Sequence, residues 1–255
     1  MRKTARKILK SILPPPLFAR LKTAKLHGQL MLRKAVGGLR TNDQIFSKIY
    51  QSNQWGGDKG DFYSGSGSYE APVEKYTTLI RDFIRANQVE SVVDLGCGDF
   101  NIGKKIVEPG LRYIGVDVVQ PLIDRNNRLF GSRDVCFTCL DITKDDLPNG
   151  TLCTIRQVFQ HLSNANIQAV LPKLQKYRFV LVTEHYPSDI EVEVHNKDIP
   201  SGADTRLRWK SGVYLDRPPF NLKKLTPVYE FESGWTADTL KQPTVIRTFL
   251  ISRGH

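Results

Sequence analysis

The stretch that most constrains this chain is Val92-Val93-Asp94-Leu95-Gly96-Cys97-Gly98. Its first four residues, apolar apart from the acid, predict a short buried strand. Gly96 and Gly98 then let the backbone turn sharply and approach a ligand closely. Residues 102–107 read as a helix. Strand, glycine turn and helix in this order suit a doubly wound α/β sheet, whose ligands bind at the carboxyl ends of the strands. Gly-x-Gly alone is as often only a tight turn, so the downstream chain decides.

Arg112-Tyr113-Ile114-Gly115-Val116-Asp117 predicts a second strand. It ends in an acid 23 residues after Asp94, close to the ~20-residue spacing at which a carboxylate meets a ribose diol. Residues 135–140 predict a third strand, followed by Asp141; 152–155 predict a fourth and 179–183 a fifth. Helical patterns cover 120–130 and 165–175. This alternation predicts a parallel sheet with helices on both faces. A terminal hairpin is expected from 227–232 with 245–252.

Together, Val93-Asp94-Leu95-Gly96-Cys97-Gly98, Gly115-Val116-Asp117, Asp141-Ile142 and Gln157-Val158-Phe159-Gln160-His161-Leu162 resemble class I S-adenosylmethionine-dependent methyltransferases over about residues 70–252. The first turn lacks the third glycine of the dinucleotide fingerprint, which disfavours a pyrophosphate ligand. The resemblance implies a Rossmann-like α/β fold: a doubly wound, mostly parallel seven-stranded sheet with an antiparallel C-terminal hairpin. It also implies S-adenosylmethionine as cofactor. Asp94, Gly96, Cys97 and Gly98 would line its methionine part, and Asp117 with Val118 its ribose. Asp141 would meet the adenine amino group, with Ile142 beside the ring, and Arg156 and Gln157 would lie beneath the methyl. Asp99-Phe100-Asn101 after the turn, Asn196-Lys197-Asp198-Ile199 and Pro218-Pro219-Phe220-Asn221 are similar to a bacterial group with a C-G-D-F-N motif. That group is associated with glycan biosynthesis, so the resemblance implies O-methylation of a saccharide or glycan precursor. Another small molecule, a lipid headgroup, or a non-catalytic cofactor-binding scaffold are the alternatives.

Methyl transfer to an alcohol needs a positioned nucleophile and a proton acceptor. Three candidates sit near the carboxyl edge of the sheet: His161, His185 and Glu184. His161 ranks first because the family resembled carries a histidine there. Some related enzymes hold a divalent metal with two acids beside that histidine. Here those positions are Gln157 and Gln160, and neutral amides are poor ligands for a hard cation, so no metal is expected. Cys136 and Cys139 stand three apart in a strand, on opposite faces, and read as ordinary core residues. Residues 184–225 read as a long insertion that would bind substrate through Arg206, Arg208, Trp209 and Tyr214, since fork-like donors and aromatic platforms suit a sugar.

Charge sets the remaining boundary. Residues 1–40 carry eleven Lys and Arg and no acid, while the other 26 bases balance all 26 acids. The net charge of +11 therefore belongs to an arm; the body is neutral and lacks an N-P-P-Y type motif, which disfavours nucleic acid as partner or substrate. The arm suits an anionic membrane surface or packing on the body as a helical extension; an organellar transit peptide fits less well, given one serine and Pro14-Pro15-Pro16. The expected organisation is arm 1–40, cap 41–70, cofactor core 71–183, insertion 184–225 and hairpin 226–255. No 20-residue apolar run is present, and four cysteines suit a reducing compartment, so a cytoplasmic protein is expected, peripheral at the inner membrane face if the arm binds lipid. No pattern specifies an oligomeric state.

Overall fold

The computed structural model describes residues 40–58, 60–69, 72–188, 192, 194–236 and 243–251, with isolated positions 14, 17, 24 and 28 before them. Side chains of 72, 233–236 and 243 are outside this set. The chain divides into two compact units, 1–40 and 41–255. The basic helix expected over 2–13 and the second basic stretch that follows lie outside the described residues.

The second unit is built on one seven-stranded sheet of order β3-β2-β1-β4-β5-β7-β6. Its strands are β1 (Ser91–Leu95), β2 (Arg112–Asp117), β3 (Val135–Cys139), β4 (Leu152–Arg156), β5 (Phe179–Pro187), β6 (Leu225–Thr236) and β7 (Pro243–Ile251). The first five pair in parallel; β7 runs antiparallel to both β5 and β6. This is the expected sheet. The order reverses beside β1, which leads one way through β2 to β3 and the other way to β4. At that switch point the strand ends leave a crevice.

Each face of the sheet is covered. α2 (Pro72–Ala86) buries Val73, Tyr76, Ile80 and Ile84, the three- and four-residue spacing of one helical face, among Val92, Tyr113 and Leu181. On the other face α4 (Asn164–Val170) packs Ile167 and Val170 with Val93, Leu95, Ile155 and Val182. The helix α3 (Gln120–Phe130) follows β2 as expected, and Pro121 suits its first turn, where a missing N–H costs nothing.

Three expectations need correction. Residues 102–107 form only one 3-10 turn, Gly103–Lys105, rather than a helix. The fifth strand does not stop at 183: β7 pairs Arg247, Ile246, Val245 and Thr244 with Glu184, His185, Tyr186 and Pro187, so Glu184 and His185 are strand residues and not the start of an insertion. Cys136 is exposed rather than in the core, because β3 is the edge strand.

Candidate active site

A cavity of about 140 Å³ opens at the carboxyl ends of β1, β2 and β4. All ten positions expected to hold the cofactor line it: Asp94, Gly96, Cys97, Gly98, Asp117, Val118, Asp141, Ile142, Arg156 and Gln157. His161 lines it as well.

The glycine turn is held in a form that other residues resist. Gly96 and Gly98 have φ of +79° and +53°. A Cβ at Gly96 would lie 2.4 Å from Val158 Cγ2, and one at Gly98 would lie 2.4 Å from Ser64 Oγ. The Gly98 N–H donates to Asp117 Oδ2 at 3.2 Å, and the Val119 N–H donates to Oδ1 at 3.1 Å. Each carboxylate oxygen keeps a lone pair for a further donor, such as a diol hydroxyl. Burial raises the Asp117 carboxyl to about 6, opposed by the N–H donors of Val119, Gly98 and Val118. Asp94 is buried, with Tyr113 and Thr154 hydroxyls donating to its two oxygens at 2.5 and 2.8 Å. Desolvation pushes its carboxyl upward against those bonds.

The roof of the cavity comes from a segment that sequence reasoning treated only as a cap. α1 (Asn42–Gln51) places Asn42, Phe46 and Tyr50 on the wall, one residue per turn, and Trp55 follows them. Trp55 packs on Tyr50 and on His161, with centroids 5.3 and 5.1 Å away, and donates Nε1–H to the Ala203 carbonyl at 3.3 Å. The readable signal was Thr41-Asn42-Asp43-Gln44, where the Gln44 side chain accepts from the Thr41 N–H as in a capping box. It marks the helix start but not what the helix covers.

Asp99 and Asn101 explain the residues after the turn. Asp99 accepts from Ser64 N–H at 3.0 Å and from the Tyr69 hydroxyl at 2.9 Å, and Asn101 Nδ2 donates to the Ser68 carbonyl. Phe100 packs among Tyr113, Phe130 and Phe137. These residues fasten the Ser64-Gly65-Ser66-Gly67-Ser68 loop onto the cavity. Arg156 adds a bond to the Gly67 carbonyl at 2.8 Å and stacks over Tyr76.

Of the three candidate proton acceptors, only His161 is on the cavity wall. It sits on a 3-10 turn, Phe159–His161, rather than on a helix. Its Nδ1 lies 3.2 Å from the Gly202 carbonyl oxygen, which can only accept, so the ring donates there. Nε2 is then the lone-pair nitrogen, and the Gln160 amide nitrogen lies 3.3 Å from it. Burial lowers the ring to about 4, so it is neutral near pH 7.

The other two candidates are corrected. Glu184 is buried and accepts backbone N–H bonds from Val158, Phe159 and Gln160 at 3.1, 2.8 and 3.1 Å. Burial raises its carboxyl to about 8 against those donors and Arg206. It anchors the turn that carries His161 and does not line the cavity. His185 is buried in β5, bonded to the Thr244 hydroxyl at 2.6 Å and lowered by burial to about 4.

The four substrate candidates do not line the cavity either. Arg206 is buried and donates to the carbonyls of Lys197, Phe159 and Leu162 and to Asn164 Oδ1, so it ties the insertion to the site instead of facing a ligand. Arg208 pairs with Asp204 at 3.6 Å and lies near the Trp209 ring. Tyr214 packs edge-on against Tyr186 and His195.

The cavity suits a nucleoside cofactor with an amino-acid arm. Its glycine turn admits close contact, two acids stand at the ends of β2 and beyond β3, and Arg156 Nε and Gln160 Oε1 are buried with no partner among the described residues. No cluster of His, Cys, Asp and Glu that could hold a metal occurs among the described residues.

No protein-family model matches the chain, and no curated protein matches it in sequence. Solved structures do match. The N-methyltransferase NodS from Bradyrhizobium japonicum WM9, in complex with S-adenosyl-L-homocysteine, is 15% identical, with 80% of this chain and 99% of that one covered and a TM-score of 0.54. The 1,6-didemethyltoxoflavin-N1-methyltransferase of Burkholderia thailandensis, with its acceptor and S-adenosylhomocysteine bound, is 13% identical over 82% and 86%, with a TM-score of 0.52. Human N-acetylserotonin methyltransferase with SAM is 12% identical over 89% and 66%, with a TM-score of 0.50. The chain has the class I methyltransferase fold. At these identities the likeness is one of fold.

Proposed function

We propose that this protein is an S-adenosylmethionine-dependent methyltransferase acting on a small-molecule acceptor. One observation carries the reading: Asp117, at the end of β2, is joined through Gly98 N–H to the glycine turn after β1, on the wall of the cavity at the sheet's switch point. Asp94 and the turn would hold the methionine part, Asp117 the ribose and Asp141 the adenine. When bound, S-adenosylmethionine supplies a methyl group activated on a sulfonium. The chain's own residues do the rest. The Phe46, Tyr50 and Trp55 wall excludes water, and Gln157, Gln160 and the neutral His161 offer hydrogen bonds to an acceptor. His161 is the proposed proton acceptor: burial keeps its ring neutral near pH 7, and also makes it a weaker base than a free imidazole.

Methylation of a saccharide hydroxyl remains the finer reading. Its support is the resemblance of the C-G-D-F-N, N-x-D-I and P-P-F-N segments, since the arginines expected to bind a sugar face elsewhere. The neighbours with bound acceptor or cofactor support a small molecule in general. We also propose that the arm at 1–40, with eleven bases, engages anionic lipid at the inner membrane face of the cytoplasm. No helix among the described residues is long and apolar enough to cross a membrane.

The test is turnover. Purified protein with methyl-labelled S-adenosylmethionine and fractionated small-molecule extract should transfer label to one fraction and release S-adenosylhomocysteine. Tight binding of the cofactor with no transfer to any acceptor would favour a cofactor-binding scaffold.

A further inference from the structure

Resting on the cofactor assignment above, we propose that Asn42, the first residue of α1, is a positioning residue that makes the base end of the cavity selective for a 6-aminopurine. Asn42 is 9% exposed and lines the cavity. Its Nδ2 lies 3.0 and 3.1 Å from the two oxygens of Asp141, a residue 99 positions later, and 3.1 Å from Thr143 Oγ1. Its Oδ1 accepts from Asn166 Nδ2 at 3.2 Å. These partners fix the amide's orientation: an oxygen facing the carboxylate would be repelled, and a nitrogen facing Asn166 Nδ2 would set donor against donor.

The consequence lies in the lone pairs of Asp141. Oδ1 accepts from the Thr143 N–H at 3.0 Å, the Thr143 hydroxyl at 2.7 Å and Asn42, which fills it. Oδ2 takes Asn42 and faces the Lys144 ammonium only at 3.7 Å. Room for a further donor is therefore on Oδ2. An exocyclic amine donates there, whereas a 6-oxo group would set oxygen against oxygen. Asn42 bridges both oxygens and so holds the carboxylate against rotation. Without it, Asp141 can turn toward Lys144, and the preference for an amine over a carbonyl is lost.

Titration calorimetry on the full chain tests this with two probes, S-adenosyl-L-homocysteine and its 6-oxo analogue S-inosyl-L-homocysteine. Wild type should prefer the amino form. Asn42→Ala should weaken S-adenosyl-L-homocysteine about tenfold, the scale of one hydrogen bond to a charged group, and should change the inosyl analogue far less. The ratio between the two probes should therefore collapse. Asn166→Ala, which removes the group orienting Asn42 together with a bond to Ser201 Oγ at 2.9 Å, should lower the ratio partway and serves if Asn42→Ala does not fold. Equal weakening of both probes would mean that Asn42 is merely structural and would overturn the inference, as would an unchanged ratio in both variants. Wild-type protein that binds neither probe would instead bring down the cofactor assignment, and this inference with it.

Discussion

Ser64 and Asp99 bind each other in both directions: the Ser64 N–H donates to Asp99 Oδ2 at 3.0 Å, and the Asp99 N–H donates to Ser64 Oγ at 2.8 Å. This clasp joins the cap to the glycine turn across 35 residues of sequence. Asp99 also takes the Tyr69 hydroxyl and the Asn101 N–H, so its carboxylate holds three residues, Ser64, Tyr69 and Asn101, at once.

Asp99→Ala should therefore loosen the roof rather than the sheet. It strands several donors, each costing about 1–3 kcal/mol when buried and unpaired. The expected result is a fall in stability of roughly 2–4 kcal/mol by urea denaturation and faster hydrogen exchange over 62–69. Unchanged exchange in that segment would show that the clasp is not what holds the cap.

The motifs in the sequence proved to be of two kinds. Asp94, Asp117 and Asp141 were legible because each stands at or just beyond the carboxyl end of a short strand, and strand ends converge in a doubly wound sheet whatever the loops do. Asn196 and Pro218-Pro219-Phe220-Asn221 were legible only as a resemblance. In the fold, Asn196 donates to the carbonyls of Tyr214 and Pro218 and accepts the Tyr214 N–H, so those segments brace one another. Glu184 and Arg206 misled because their partners are backbone groups brought together only by tertiary structure. A buried arginine serving carbonyls and one facing a ligand have the same sequence. The wall of Phe46 and Tyr50 on α1, with Trp55 after it, escaped notice because aromatic residues look the same in sequence whether they cover a core or a cavity.

Arg206 and Arg208 give opposite expectations. Arg206→Ala leaves buried carbonyls and Asn164 unpaired, and should destabilise the fold by about 3–5 kcal/mol. Arg208→Ala disrupts a partly exposed pair and should change stability by less than about 1 kcal/mol. If Arg206→Ala folds normally and only raises KM for an acceptor, the substrate role expected from the sequence is restored.

Turnover should persist after exhaustive chelation. Gln157 and Gln160 offer no anionic ligands beside His161. Loss of activity with EDTA, recovered on adding magnesium, would contradict this.

Deleting residues 1–38 should leave the melting temperature and cofactor affinity unchanged, because among the described residues the cavity is lined from Asn42 onward. Sedimentation with anionic vesicles should be lost with the arm. In the full chain it should weaken with salt as the Debye length falls from about 10 Å at 0.1 M to 3 Å at 1 M. A truncated protein that melts lower, alongside full-length protein that ignores vesicles, would place the arm on the body.

The central claim is that Asp117 receives the cofactor's ribose, and calorimetric titration of S-adenosyl-L-homocysteine against pH tests it most directly. Near pH 7.5 the carboxylate is ionised and accepts both hydroxyls, so binding should be micromolar. Since burial raises this carboxyl to about 6, affinity should be present above that pH and fall as pH drops through it, because the protonated acid loses an acceptor. Asp117→Ala should weaken binding by about 1.5–3 kcal/mol at pH 7.5 and flatten the profile between pH 7.5 and 5. Wild-type affinity retained in Asp117→Ala, with the same pH profile, would contradict the account.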